Sequence, residues 1–535
     1  MATLDKKKVK KREWLKIKLG IAATIIEVCI SPVIASGIHQ ILEQVKAFDE
    51  RVYIDWNYMN ALHACIANEK VRLWWCVCQL VWAAFVVYLS VSAKPNIGNV
   101  EQMKVTDDIY IPVPAGNGQH GAERFLKERE KEELFAVFEF SGKEQLETKG
   151  GIVVQMRKKG DKEIILYLPD DIHTLIIGAT RSGKTRRVLL ITLWLQIMSG
   201  ISVVVSDVKG ELYYYTSPYA EDNGYKTYAI DLRSPEKSIH YNFLQPIIDA
   251  VKDNDMAKAV DYTWDIVSVL VGQQKGDPLW YNGETATIAA VILIIVYDAP
   301  REYQNLTNVY YFLANMCTPD QYGNMPINTY LDMLPDTHPA KGVFKMAGIA
   351  PVKTRSSFFT SALGTLRLFT NPNVAEMTSR SDIDLKDIGR EKSIVYMIIP
   401  DEKKTLYPLV SILVTQIYML QVEVANEYGL RLPVETDYDL DEVGNFPTIP
   451  VLGNILSAGA SRGVRANLVI QDYQQLESKY KEDFKNIKTN CQCKIYLKSD
   501  DNETLKSISE SLGKYTVEVS SASTSTQVDK KTNIN

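Results

Sequence analysis

At 535 residues the chain is too long to build around one core, so two or three units are expected. Its 60 Lys and Arg against 65 Asp and Glu leave a formal charge of -5, so net charge does not point to nucleic acid, and any such partner must meet a local basic surface. Seven scattered Cys suggest no disulfide framework; Cys491 and Cys493 fall in an expected strand, where buried thiols are expected rather than a metal site.

Two apolar stretches open the chain, residues 19–38 and 73–92, each near the length needed to cross a bilayer. The first is preceded by Lys6, Lys7, Lys8, Lys10, Lys11, Arg12, Lys16 and Lys18, and the second carries Trp74, Trp75, Trp82 and Tyr88. Residues 43–72 between them hold no comparable basic cluster, so the positive-inside rule predicts a transmembrane hairpin with both termini in the cytoplasm. A cleaved signal peptide is disfavoured by the second span, and a buried soluble hairpin is the alternative. Glu27, inside the first span, is costly there and is read as a contact to a partner subunit.

Residues 94–121, rich in Pro, Gly and Asn, predict an extended linker, and residues 122–134 a short solvated helix. Strand-like runs follow at 135–140, 152–156 and 163–168. The run 174–177 then enters Gly178-Ala179-Thr180-Arg181-Ser182-Gly183-Lys184-Thr185, with a helix predicted from Arg186 to Met198. This is the P-loop pattern in its required setting, strand before and helix after. Its backbone amides and the helix N-terminus suit phosphate oxygens, Lys184 suits the outer phosphates, and the Thr185 hydroxyl suits a magnesium ion. ATP with Mg2+ is the expected ligand.

Strands are predicted at 201–205, ending at Asp207, and at 227–231, so strand and helix alternate as in a parallel sheet with helices on both faces. Between 247 and 353 the apolar residues recur at helical spacing, as in Ala257-Val260-Trp264-Val267, predicting an inserted all-α unit. A strand at 393–399, a helix at 405–426 and further α/β alternation to 497 resume the first pattern, and residues 520–535 predict a polar, mobile tail.

A P-loop enzyme also needs a carboxylate for the metal and a group that activates water. Asp441 and Glu442 supply them if residues 434–440 form a core strand, but that run alternates apolar residues with Glu435, Asp437 and Asp439, whereas central parallel strands are usually apolar on both faces. Asp207, after Val203-Val204-Val205-Ser206, fits the apolar-run-to-Asp pattern better, and pattern alone does not choose between them. Gln471, after Leu468-Val469-Ile470, is placed to sense the terminal phosphate. Arg462 and, less strongly, Arg465 are read in a Gly-containing turn, as fingers reaching a neighbouring subunit's nucleotide.

Together these features resemble the type IV coupling proteins, the TraG-type ATPases of conjugation and type IV secretion. Segments 120–125, Asp207-Val208-Lys209-Gly210-Glu211, Tyr241-Asn242-Phe243-Leu244, Asp441-Glu442-Val443-Gly444-Asn445-Phe446-Pro447, and Arg462-Gly463-Val464 with Gln471 and Gln475 occur in the family's order, with Val208 where Pro is usual and Glu123 where a small residue is usual. The resemblance favours Asp441 over Asp207 and leaves the acidic run before it unexplained. It implies an α/β, RecA-like nucleotide domain with an inserted all-α domain behind the transmembrane hairpin. The expected divisions are residues 1–93 for the basic segment and hairpin, 94–134 for linker and short helix, 135–246 and 355–519 for the two parts of the nucleotide domain, 247–354 for the insert, and 520–535 for the tail.

It further implies catalytic Lys184, Glu442, Gln471 and Arg462, metal-binding Thr185 and Asp441, and six identical subunits around a channel at the inner face of the plasma membrane. The implied partners are DNA bound without strong sequence preference, a relaxase or effector cargo, and subunits of a secretion channel. A docking receptor in which nucleotide only controls assembly, and a membrane-anchored chromosome translocase, are the competing functions. Members usually continue into another conserved segment beyond Thr516, so a truncated or divergent end is expected.

Overall fold

The strand-forming runs divide between two sheets of opposite construction. The computed structural model describes residues 2–47, 53–92, 102–104, 110–113, 123–140, 146, 148–272, 274, 276–318, 320–321, 324–402 and 404–516. The tail at 520–535, segment 120–122 and most of the expected linker lie outside them. The chain forms two compact units, residues 1–122 with 514–535, and residues 123–513.

In the first unit, α1 (Ala2–Lys46), α2 (Tyr58–Ala67) and α3 (Glu69–Ser92) pack on one another around Ala35, Cys65 and Val71. Helix α2 was not predicted; its signal is Asn57, whose side chain accepts from the Met59 and Asn60 amides as an N-cap. Pro32 cannot donate to the Val28 carbonyl one turn back, and the Ser31 hydroxyl bonds that carbonyl at 3.4 Å instead. Ser31 in turn accepts from Trp75 Nε1 (3.0 Å) and Gln79 Nε2 (2.9 Å), and Gln79 also donates to Glu27 Oε1 (3.1 Å). Glu27 Oε1 is thus met within its own chain, while Oε2 is buried without a partner. Within the expected linker, β1 (Gln102–Lys104) and β2 (Tyr110–Pro112) pair antiparallel.

The second unit opens with α4 (Glu128–Leu134) and then β3 (Ala136–Phe140), β4 (Ile152–Lys159) and β5 (Lys162–Leu168). These form an antiparallel sheet of their own, ordered β3-β5-β4, outside the parallel sheet. Next come β6 (Thr174–Gly178), a π-helical turn over Lys184–Leu189, α5 (Leu190–Ser199), β7 (Ser202–Val208), α6 (Glu211–Asp222) and β8 (Lys226–Asp231). The chain then runs through α7 (Gln245–Lys252), α8 (Met256–Val271), α9 (Pro278–Asp298), α10 (Leu306–Met316), α11 (Pro326–Met333), α12 (Pro339–Gly348), α13 (Val352–Leu366) and α14 (Pro372–Met377), with no strand among the described residues. It returns as β9 (Ser393–Ile399), α15 (Tyr407–Glu427), β10 (Thr436–Leu440), α16 (Leu452–Ala458), β11 (Val464–Ile470), α17 (Tyr473–Tyr480), α18 (Phe484–Asn490), β12 (Cys493–Lys498) and α19 (Asn502–Ser511). Cys491 is buried but precedes β12, so only Cys493 of the two thiols lies in the strand.

The parallel sheet has the order β12-β6-β11-β10-β7-β9-β8. Its Val- and Ile-rich strands are buried along their length because helices cover both faces. Leu193 and Ile197 of α5 and Leu212 of α6 pack on one face, and Tyr407, Leu452, Leu476 and Ile487 belong to the core on the other. Helix α9 is the axis of the helical segment, and a Cβ on its Gly283 would lie 2.4 Å from the Phe358 ring, so only glycine admits α13 there.

Among the described residues four helices are long and apolar enough to cross a bilayer. Burial separates them. The windows in α9 and at α15 are each 78% buried within the second unit, whereas those in α1 and α3 are 28% and 6% buried. The apolar surface of the last two therefore faces a medium other than this fold.

Candidate nucleotide site

In a parallel sheet every strand ends at the same edge, and the loops there form the crevice where ligands bind. At that edge β6 turns through the P-loop. Arg181 (φ 65°) and Gly183 (φ 92°) take left-handed backbone conformations. A Cβ on Gly178 would come within 2.4 Å of Ser182 Oγ and 2.9 Å of Lys184 Cγ, so that glycine is what lets the loop close. Lys184 is buried and donates from Nζ to the Gly178 carbonyl at 2.7 Å. The helix opens with a π turn, the Leu190 amide reaching back to the Thr185 carbonyl, a wider winding than the α-helix predicted from Arg186.

Asp441 and Glu442 follow β10, two strands from β6. Thr185 Oγ1 donates to Asp441 Oδ2 at 3.0 Å, and Asp441 Oδ1 is buried without a partner. Burial, then the neighbouring Glu442 charge, push the Asp441 carboxyl up to about 6 against the opposing pull of Lys184. An orphaned, desolvated carboxylate oxygen beside a threonine hydroxyl is a donor set that fits a hard divalent cation. Glu442 has a left-handed backbone (φ 56°), a conformation that costs a non-glycine residue about 1 kcal/mol or more. Its carboxylate meets Lys184 Nζ at 3.3 Å, Gln471 Nε2 at 3.1 Å and Asn445 Nδ2 at 2.8 Å.

The structure thus brings together Gly178 through Thr185, Asp441, Glu442 and Gln471. It does not bring Arg462 to them. Arg462 precedes β11, at the opposite edge of the sheet, and a seven-residue strand separates the edges by about 20 Å. Its Nε is buried without a partner, and its side chain lies against the Tyr418 hydroxyl. Asp207 lies at the same edge, near the end of β7 beside β10, but its Oδ2 is turned to the Tyr213 amide at 2.8 Å, at the start of α6, and its Oδ1 is buried without a partner.

Arg465 is not in the turn. It lies within β11, only 4% exposed, and its Nε and Nη2 each meet an Asp437 oxygen at 2.7 Å. This corrects its reading as a finger and accounts for the acidic β10. Asp437 pairs in register with Arg465, and Asp439 with Asn467, whose Nδ2 donates to it at 2.7 Å. Gln196 of α5 donates to both carboxylates. Burial, then the Asp437 charge, push the Asp439 carboxyl up to about 7. Arg465 Nη1 also reaches the Gly150 and Pro169 carbonyls, fastening the antiparallel sheet beneath the parallel one. The overlooked cue was the alternation of Arg465 and Asn467, in phase with Asp437 and Asp439.

Comparison with known proteins completes the picture. The family model for type IV secretory system conjugative DNA transfer matches residues 135–535. Protein VirD4 of Rhizobium rhizogenes is 26% identical over 357 residues, 66% of this chain and 50% of that protein. The conjugal transfer protein TraG of Escherichia coli is 26% identical over 384 residues, 69% of this chain and 58% of that protein. The chain thus spans about half the length of the curated relatives it matches. Among solved structures, the plasmid coupling protein TrwB bound to the GTP analogue GDPNP superposes with a TM-score of 0.51 at 16% identity, covering 71% of this chain and 87% of that one. TrwB with ADP and Mg2+ gives 0.50 at 15% identity, covering 71% and 86%. These likenesses show the fold, a P-loop nucleotide fold of the coupling-protein kind. With its model matched from residue 135 to the last residue, the chain belongs to the type IV secretory system conjugative DNA-transfer family.

Proposed function

We propose that this protein is a membrane-anchored ATPase that recruits relaxase-bound DNA, or an effector protein, and couples it to a type IV secretion channel. One observation carries the enzymatic part: Thr185 meets Asp441 at 3.0 Å while Lys184 and Gln471 converge on Glu442, so phosphate-binding, metal-binding and water-activating groups share one edge of the sheet. The Gly178–Thr185 backbone cradles the phosphates and Lys184 moves from the Gly178 carbonyl onto them. Thr185 and Asp441 hold magnesium, which when bound neutralises charge on the outer phosphates. Glu442 orients and deprotonates the attacking water, and Gln471 senses the terminal phosphate.

Arg462 acts in trans. Its place at the far edge from its own chain's P-loop supports this reading, in which a ring of identical subunits, six in number, supplies the neighbour. Helices α1 and α3 form the anchor, with both termini on the cytoplasmic side of the inner membrane. Residues 94–134 link it to a nucleotide domain of residues 135–246 and 355–519, the insert at 247–354 faces cargo, and residues 520–535 form the tail. DNA is held through its phosphates, without strong sequence preference.

The test is ATP hydrolysis by the detergent-solubilised protein with and without DNA. Lys184→Ala is expected to lower turnover by 100-fold or more, roughly what one electrostatic donor to a developing charge contributes. Unchanged turnover in that variant rejects the site. A Glu442→Gln variant that retains ATP yet supports full transfer in cells identifies a docking receptor instead of a motor.

A further inference from the structure

The Glu442 carboxylate is held by three donors from three elements, and they are not equivalent. Lys184 Nζ lies on Oε1 at 3.3 Å. Gln471 Nε2 lies at 3.1 Å from Oε2 and 3.4 Å from Oε1. Asn445 Nδ2 lies at 2.8 Å from Oε2. The lysine is the mobile member, since its charge is needed on the phosphates once nucleotide enters, and it then leaves Oε1.

Asn445 is the fixed member. It closes the turn Val443–Asn445, its amide donating to the Glu442 carbonyl at 2.8 Å. Val443 and Phe446 on either side are fully buried, and the Phe446 ring packs edge-on against Tyr407 at 5.8 Å. The Ser411 hydroxyl bonds the Pro447 carbonyl at 3.1 Å. A Cβ on Gly444 would lie 2.9 Å from Gln475 Cβ, so the turn is also covered by α17. The turn cannot shift without breaking these contacts.

Resting on the ATPase reading above, we propose that Asn445 is the positioning residue of Glu442. It clamps Oε2, so that Oε1 alone is presented to water when Lys184 moves away. The water oxygen then bonds to the terminal phosphorus, the bond from that phosphorus to the bridging oxygen of the departing ADP breaks, and the water proton passes to Oε1. Without the clamp only Gln471 Nε2, which is shared between both oxygens, holds the carboxylate, and it no longer fixes which oxygen faces the water. Orientation of this kind is lost through kcat, since it contributes nothing to holding the nucleotide.

The experiment compares Asn445→Ala and Asn445→Asp in the full-length protein, with a fluorescent ATP analogue for binding and phosphate release for turnover. The aspartate keeps the shape of the side chain but removes the donor. Both variants are expected to lose ten- to 100-fold in kcat, with nucleotide affinity and KM within about twofold of the parent and an unchanged melting temperature. On a Glu442→Gln background, Asn445→Ala is expected to cost nothing further. Parental turnover in Asn445→Asp, or losses that multiply with Glu442→Gln, would overturn the assignment and leave a purely structural turn residue. If Lys184→Ala also hydrolyses ATP normally, the ATPase site itself has failed. If only the Asn445 variants do, the failure is confined to the clamp.

Discussion

The two ends of β10 carry carboxylates in opposite circumstances. At its start, Asp437 is 1% exposed and both its oxygens face the Arg465 fork, while Asp439 accepts from Asn467 and Gln196. Just past its end, Asp441 is also buried but keeps one oxygen unpartnered, and Glu442 is held by a lysine with a second task in prospect. The same residue type on one strand is thus structural at Asp437, where the Arg465 fork takes both oxygens, and available for chemistry at Asp441, where one oxygen is unmet beside the P-loop hydroxyl of Thr185. Neither buried charge nor an unmet bond marks a site alone, since Asp439 Oδ2 and Asp207 Oδ1 are also buried without partners; the Thr185 hydroxyl on its other oxygen sets Asp441 apart.

Removing Arg465 tests the structural end most severely. Arg465→Ala leaves Asp437 charged and buried and cuts the bonds to Gly150 and Pro169, so stability is expected to fall by about 3–5 kcal/mol. Chemical denaturation measures this. The double variant Arg465→Met with Asp437→Leu should recover most of it, because a well-packed apolar pair needs no desolvation. If Arg465→Ala unfolds at the parental midpoint, the pair is not what holds this end of the sheet.

At the other end the sign reverses. Asp441→Asn deletes a charge that the fold desolvates without full compensation, so stability is expected to hold or rise by about 1 kcal/mol. Magnesium-dependent gain in nucleotide affinity should fall by tenfold or more, about 1.4 kcal/mol, and chelation should then make little difference. A variant that loses stability and keeps its magnesium response would erase the contrast between the two ends.

What was legible in advance follows from the distance over which each feature is encoded. The P-loop is contiguous, and its strand and helix flank it directly, so Gly178 to Thr185 could be read without help. The helical segment and the buried α9 and α15 were legible by periodicity. Asp441 needed the family's motif order, because its strand breaks the apolar rule. The reason lies 28 residues on, in the in-register Arg465 and Asn467, and strand register is a tertiary property. Arg465 was misplaced for the same reason: two residues after Gly463 it looks like a turn residue, yet β11 begins at Val464. The antiparallel pairing of β3 to β5 and the π turn after Lys184 carry no local signature, and α2 is one short helix whose only strong signal is its Asn57 cap.

The effect with the narrowest reach, confined to acid pH, concerns His173, which sits before β6 at the structural end. It is buried, and its Nδ1 accepts the Ala466 amide at 3.0 Å while Nε2 has no partner. Burial lowers its pKa to about 4, against the attraction of Asp437 and with a further push from Arg465. The folded state therefore sheds a proton that the unfolded chain keeps up to about 6.5. Between those values the unfolded chain binds more protons, so stability is complete above about 6.5 and declines as the pH falls toward 4. His173→Gln retains an acceptor for Ala466 and cannot titrate. Its acid-side loss of stability across that window should be smaller than the parent's by about 1–3 kcal/mol, read from denaturation midpoints at pH 7 and pH 4.5. Parallel pH curves for the two proteins would mean that His173, which Asp437 and Arg465 face, does not govern the acid response of this end of the sheet.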